Sequence, residues 1–223
     1  MQKFHSPAPV SAVLDIPAGH IRFIVADRAD TTVEVLPADA SKSRDVKAAE
    51  QIEIAYDDGV LRIEAPAARN RILGHSGSVE VTVQLPAGSR VEAKAAAAEL
   101  RGVGRLGDVT FEAAQGSAKL DETGSAHLAL LAGDISVGRL GGPAQISTQK
   151  GDLRIAEAVR GAVALRTEQG DVSVGAARGV SASLDAGTGY GRIRNTLINA
   201  DGAAAGLTIH ATTAHGDITA RSL

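Results

Sequence analysis

The chain has 223 residues, of which 44% are hydrophobic and 22% are charged, and its formal net charge at pH 7 is -3. This composition is typical of a folded protein, and the slight negative charge gives no general attraction to nucleic acid or to anionic lipid. The three phenylalanines and two tyrosines, without tryptophan, provide few rings for stacking on bases or sugars. Because cysteine is absent, disulfides, thiolate zinc sites and cysteine nucleophiles are excluded.

Residues 1–88 have the pattern of an irregular β region. Strand-like runs, joined by DDG and PAGS turns, occur at VSAVLDI, HIRFIVADR, TTVEVLP, QIEIAYD, GVLRIEA and SVEVTVQLP. The polar segment ADASKSRDVKAAEQ predicts one or two turns of helix, and APAARNRILGHSGS predicts an exposed loop. Since the first coil of a stack of strands would otherwise be an open edge, we expect this region to act as a cap.

Neither a secretory signal nor a membrane span is visible in the sequence. No uninterrupted apolar segment precedes Asp15, and no stretch approaches the roughly 18 apolar residues that a spanning helix needs. We therefore expect a cytoplasmic location and no membrane insertion.

From residue 107 onward, glycine recurs about every nine residues. Successive steps are 9, 8, 9, 9, 9, 10, 9, 9, 12, 15 and 10 residues, and apolar residues alternate with small polar ones between them. Two unlike units make a coil of about 18 to 19 residues, with two short strands and two tight glycine corners. Residues 89–223 therefore predict a β-solenoid, continuous with the cap, in which each strand pairs in parallel with its equivalent one coil later.

The competing structural interpretation is a sandwich of regularly spaced hairpins, which would require antiparallel neighbours. At the end of the chain, the strand GDITARSL has no evident cap. We expect either that Arg221 and the tail blunt this strand or that a second subunit covers it, giving a homo-oligomer through the C-terminal coil.

Several segments resemble the bacterial β-strand-repeat family of unknown function, whose members are labelled adhesins or toast-rack domains. They are VQLPAGSRVEAKAAAAELRGVGRLGDV, LDAGTGYGRIRNTL and IHATTAHGDITARS, together with the Gly-Asp repeats between them. The Leu-Pro-Ala-Gly strand and the Tyr-Gly-Arg-Ile-Arg-Asn element are typical of the actinobacterial branch. The resemblance implies a right-handed β-solenoid-like fold. Some relatives resemble parts of envelope-stress sensing systems, and the resemblance provides no catalytic residues to carry over to this chain.

An aspartate follows the corner glycine at Asp108, Asp134, Asp152, Asp171 and Asp217. Such a column could hold calcium, but the calcium-binding nonapeptide repeat needs paired glycines and an acid in every unit. We therefore expect each carboxylate to bond its own turn backbone. The six histidines share no metal-ligand spacing, and GTGYGRIRN lacks the spacing and following helix of a nucleotide-binding loop. These patterns predict no metal, cofactor or catalytic residue.

The long excursion NTLINADGAAAG, which follows Tyr190, Arg192 and Arg194, interrupts the short corners. Together with the outward-facing Arg154, these residues form the predicted interaction surface. We expect a non-catalytic scaffold that binds an unknown protein partner. Two alternatives remain open: a regulatory module in an envelope-stress pathway, and a glycan-binding or glycan-processing β-helix, which would need paired carboxylates in a cleft.

Overall fold

The structure is a computed structural model that describes residues 1–66 and 77–223. Over these residues it contains one α-helix, α1 (Ser43–Glu50), a short 3-10 helix (Gly202–Ala204), and strands throughout the rest of the fold. The strands are β1 (Gln2–His5), β2 (Ser11–Ala26), β3 (Asp30–Pro37), β4 (Glu53–Asp57), β5 (Val60–Glu64), β6 (Val79–Pro86), β7 (Arg90–Ala132), β8 (Ile135–Leu140), β9 (Ala144–Ser147), β10 (Leu153–Ala158), β11 (Gly161–Gln169), β12 (Val172–Ala176), β13 (Ala182–Tyr190), β14 (Ile193–Thr196), β15 (Leu207–His215) and β16 (Ile218–Ser222).

The strands form a slab with two faces, because β2 and β7 bend at the corners and contribute to both. We call face A the series β1-β3-β6-β2-β7-β8-β10-β12-β16-β14, in which neighbours are hydrogen-bonded. Face B is the series β4-β5-β2-β7-β9-β11-β15-β13. Each coil of the chain crosses face B, turns a corner and crosses face A.

Neighbouring coils pair in parallel between equivalent residues. Leu153 is in register with Ile135 on one side and with Val172 on the other. Among the described strands, the antiparallel pairs are β1–β3, β3–β6 and β4–β5, all in the N-terminal region. This pairing confirms the predicted all-β solenoid and excludes the hairpin sandwich.

The core lies between the two faces and is built from the inward residues of the alternating pattern. Phe23 and Phe111 are its largest fully buried side chains, and both have 0% of their surface exposed. Most of the other core residues are valine, isoleucine, leucine or alanine. Such a core is thin, so the stability of the slab depends on the repeated close contact between coils.

The N-terminal end of the slab is covered. Phe4 of β1 stacks on Tyr56 of β4 with 5.0 Å between ring centroids. The predicted helix is confirmed as α1, whose buried Asp45 accepts a hydrogen bond from the Ser78 backbone N–H at 3.0 Å. The predicted exposed loop includes residues 67–76, which lie outside the described residues. The boundary between cap and solenoid at residue 88 stays a prediction. Strand β2, which precedes that residue in the chain, already pairs in parallel with β7.

The last coils do not stack in chain order. Strand β15 lies between β11 and β13, and β16 lies between β12 and β14. The expectation that GDITARSL forms an uncapped end was therefore wrong. The C-terminal residues 207–223 fill an interior position, and the outermost coil is formed by residues 182–198, which precede them in the chain.

Candidate interaction surface

A threonine, a glycine and an aspartate build the same corner in successive coils. The pattern Thr-x-x-Gly-Asp occurs at residues 148–152, 167–171 and 213–217. In the last of these, the Thr213 hydroxyl is buried and donates to the Gly170 carbonyl of the neighbouring coil at 3.0 Å. The equivalent hydrogen bond, to the glycine carbonyl one coil away, is donated by Thr148, Thr167 and Thr188. These hydroxyls satisfy partly buried carbonyl groups and join each coil to the next.

The aspartates of this corner form a hydrogen-bonded ladder. The backbone N–H of Asp152 donates to Asp134 Oδ1 at 2.8 Å, and that of Asp171 donates to Asp152 Oδ1 at 2.8 Å. The backbone N–H of Asp217 donates to Asp171 Oδ1 at 2.7 Å. Each carboxylate thus binds the next coil, and the expectation that it would bond its own turn was wrong. Asp108 lies apart from this ladder, at the opposite corner, where it accepts from the Ser125 hydroxyl at 2.6 Å.

The ladder ends at the outermost coil because an arginine replaces the aspartate there. Arg192 donates its backbone N–H to Asp217 Oδ1 at 2.9 Å but has no carboxylate to offer to a further coil. Within residues 1–66 and 77–223, β14 has a hydrogen-bonded neighbour on one side, β16, and β13 likewise pairs with β15 alone. We call residues 182–198 the open coil, since the described part of the chain leaves one edge of each of its strands unpaired.

Three of the four predicted interaction residues lie on the open coil. Tyr190 is 74% exposed and stacks on His215 with a centroid distance of 5.0 Å. Arg192 and Arg194 are exposed, and neither takes part in an ion pair among the described residues. Arg154 lies elsewhere on face A. Three rungs separate it from Arg194, a distance of about 14 Å at about 4.8 Å per rung.

A third arginine of this region was not predicted as part of the surface. Arg221 is exposed, pairs in register with Thr196 of β14, and is absent from the ion pairs among the described residues. From sequence it was expected only to blunt the last strand. Its alternation with Thr219 in β16 indicates an outward position, but its proximity to β14 depends on the order of the coils, which the sequence does not reveal.

On face B, the edge formed by β13 carries an aspartate beside a histidine. His210 Nδ1 lies 3.0 Å from Asp185 Oδ2, and the Asp185 side chain is 82% exposed. The open coil therefore presents cationic groups on face A and a carboxylate paired with an imidazole on face B.

The outer surface of face B contains an open groove of about 1210 Å³, away from the predicted residues. Its lining is mainly small and polar, and its two carboxylates are Glu112 and Glu168. They lie in coils three rungs apart, a separation of at least about 14 Å. Paired glycosidase carboxylates are about 5 to 9.5 Å apart, so this groove does not have the geometry of a glycan-hydrolysing cleft.

Two further features bear on the kind of site. Within residues 1–66 and 77–223, no group of three or more histidine, aspartate or glutamate side chains is arranged to hold a metal ion. In the same ranges, no helix has the length and apolar character needed to cross a bilayer.

Parallel pairing of equivalent residues, glycine corners and a ladder of threonines and aspartates define a β-solenoid of the toast-rack class. Residues 13–222 match the sequence profile of the family described as Toastrack DUF4097, and the chain belongs to that family. The actinobacterial branch stays a prediction. No protein with a curated description is significantly similar to the chain in sequence.

Solved structures show a loose likeness over the whole chain. A candidate cell adhesion protein from Clostridium sporogenes ATCC 15579 is 13% identical, with a TM-score of 0.41, and the match covers 100% of this chain and 98% of that one. A candidate adhesin from Bacteroides fragilis NCTC 9343 is 9% identical, with a TM-score of 0.45 and coverage of 98% and 95%. A candidate adhesin from Parabacteroides distasonis ATCC 8503 is 14% identical, with a TM-score of 0.40 and the same coverage.

Proposed function

We propose that this chain is a non-catalytic interaction scaffold that binds an extended strand of a protein partner along the open coil. The observation that carries the proposal is the edge of β14 that is free among the described strands, with Arg194 on this strand and Arg192 and Arg221 beside it. An unpaired strand edge offers backbone N–H and C=O groups to an added strand, and the side chains beside it select the sequence.

The charge of this edge favours an acidic strand. In four successive interior coils, an aspartate accepts a hydrogen bond from the backbone of the neighbouring coil, whereas the outermost coil presents Arg192 at that position. Carboxylates of an added strand would pair with guanidinium groups that have no acidic partner among the described residues. Tyr190 supplies exposed apolar area next to them.

The size of the site indicates a weak and reversible contact. The two faces are about 10 Å apart, and the longer edge strand, β13, has nine residues, so the end of the slab has an area of about 300 Å². Stable complexes bury about 800 Å² on each partner. Affinity would therefore be modest unless the partner also contacts the outer faces.

Peptide binding tests the proposal. A fluorescein-labelled peptide of nine alternating valine and glutamate residues serves as the probe, and fluorescence anisotropy gives its Kd for the full chain. We expect saturable binding that weakens with salt, and a loss of about tenfold or more in the double variant Arg192→Glu, Arg194→Glu.

Arg154→Glu is the control for charge reversal, because it makes the change made at each site of the double variant, on the same face but away from the edge. A peptide with lysine in place of glutamate should bind more weakly to the native chain. Equal losses in Arg154→Glu and in the double variant would contradict the proposal, as would equal binding of the two peptides. The cytoplasmic location and a role in envelope-stress signalling stay predictions.

A further inference from the structure

Residues 207–223 form a coil that follows the open coil in the chain but lies inside the stack. Its inward side chains Leu207, Ile209, Ala211, Ile218 and Ala220 are each 0% exposed. It has a parallel neighbour on both sides of each of its strands, so it makes the full set of contacts of an interior coil. We call the space that it fills, between the coil of β11–β12 and the open coil, the slot.

The contacts that hold this segment do not depend on its covalent connection. Towards β11–β12, Thr213 donates to the Gly170 carbonyl and the Asp217 N–H donates to Asp171. Towards the open coil, Thr188 donates to the Gly216 carbonyl at 2.9 Å and the Arg192 N–H donates to Asp217. The same atoms would meet if residues 207–223 came from another molecule.

The single covalent connection between the segment and the rest of the stack is the linker, residues 197–206. Its described side chains are exposed except for those of Leu197 and Ala205, which are half-buried. Ten residues can span about 33 to 36 Å when extended.

We propose that two copies of this chain exchange residues 207–223, so that each slot is filled by the C-terminal coil of the other molecule. The exchanged dimer keeps every contact of the coil, and only the path of the linker differs. This buries far more surface than end-to-end contact of two open coils, whose area of about 300 Å² is below that of a stable dimer.

Protein concentration during folding decides between the two forms. A short linker holds its own segment near the slot at an effective concentration on the order of 1 mM. Refolding at about 10 µM should therefore give roughly 1% dimer, and refolding at about 1 mM should give roughly half. Once formed, the dimer should persist on dilution, because exchange requires the buried residues of two coil interfaces to separate.

The absence of cysteine in the native chain allows a direct test by disulfide trapping. Ser173 and Thr219 are neighbours in register on the outer surface of face A, within the distance that a disulfide can bridge. One chain carries Ser173→Cys and an affinity tag, and a second carries Thr219→Cys without the tag. The two are unfolded together, refolded at about 1 mM, oxidised, and separated on a non-reducing gel.

Exchange predicts a disulfide-linked heterodimer that is roughly fifty-fold more abundant after refolding at about 1 mM than at about 10 µM. A single chain with both substitutions, refolded at low concentration, should form the disulfide internally and so verifies the geometry. Ser136→Cys replaces Ser173→Cys as a collision control, because it lies three rungs from Thr219. The inference would be overturned if the internal disulfide forms but the mixed chains give no more heterodimer than the Ser136→Cys control.

Discussion

Substitution of a corner glycine tests the claim that the close approach of coils is the basis of the fold. Gly170 has φ of +152°, and a Cβ at this position would lie 2.0 Å from the Gly151 carbonyl oxygen. The obstacle is backbone, so no side-chain rotation can relieve it. We expect Gly170→Ala to force the two coils apart at this corner.

The expected cost has two sources. A non-glycine residue in this region of φ costs about 1 to 3 kcal/mol, and forcing an extra carbon into a packed site costs about 1 to 3 kcal/mol. A loss of about 4 kcal/mol in the free energy of unfolding is expected, and it would lower Tm by roughly 8 to 16 °C in a chain of this size.

Two other glycines separate these contributions. Gly179 has φ of +75°, and a Cβ added there would have no atom within 4 Å, so Gly179→Ala should cost about 1 to 2 kcal/mol from φ alone. Gly187 has neither a positive φ nor a near neighbour, and Gly187→Ala should change stability by less than about 0.5 kcal/mol. Urea unfolding followed by far-UV circular dichroism measures all three. A loss in Gly170→Ala no larger than that in Gly179→Ala would refute the argument from coil contact.

Three further predictions concern the hydrogen bonds between coils and in the cap. Asp171→Ala removes the acceptor of the Asp217 N–H and should lower the free energy of unfolding, measured in urea, by about 1.5 kcal/mol. Asp171→Asn keeps an acceptor oxygen and should cost less. Equal losses in the two variants would count against the ladder. Thr213→Val removes the hydroxyl that donates to the Gly170 carbonyl and should lower the free energy of unfolding by about 1 kcal/mol. Thr213→Ser should keep this bond, so the backbone amides at the Gly170 corner should exchange their hydrogens more slowly than in Thr213→Val. In the cap, hydrogen bonds from Arg28 and then Lys3 lower the pKa of Asp30 to about 2. The stabilisation from Asp30 should thus be complete above its ordinary pKa of 3.8 and be lost as the pH falls through about 2. NMR titration of the Asp30 carboxyl group checks this expectation. A titration midpoint near pH 3.8 would contradict it.

The repeat was predictable because its signals are local. A glycine about every nine residues with alternating apolar residues between, as in Leu153 and Ile155, determines strands, corners and the buried face. Parallel pairing follows, since equivalent residues can meet only when one coil lies on the next. The polar segment that forms α1 was likewise recognisable from its composition.

The order of the last coils was not predictable from the sequence. The residues that meet at the candidate site, such as Arg221 beside β14, could therefore not be predicted either. Thr167, Thr188 and Thr213 begin nearly identical corner motifs, so the local sequence does not determine which coil lies beside which. The aspartates were misjudged for a related reason. Their carboxylates bond backbone N–H groups that are 18 to 46 positions away in the chain, and only the stacked structure brings these groups within reach.

The interior position of the C-terminal coil has a consequence for biosynthesis. A ribosome adds about 5 to 20 residues each second, so residue 223 emerges roughly 2 to 8 s after residue 182. During that interval the nascent chain contains the open coil but lacks the coil that lies between it and β11–β12. Addition of residues 207–223 to the stack is therefore an intercalation, in which these seventeen residues must separate the coils on either side or arrive before those coils have packed together.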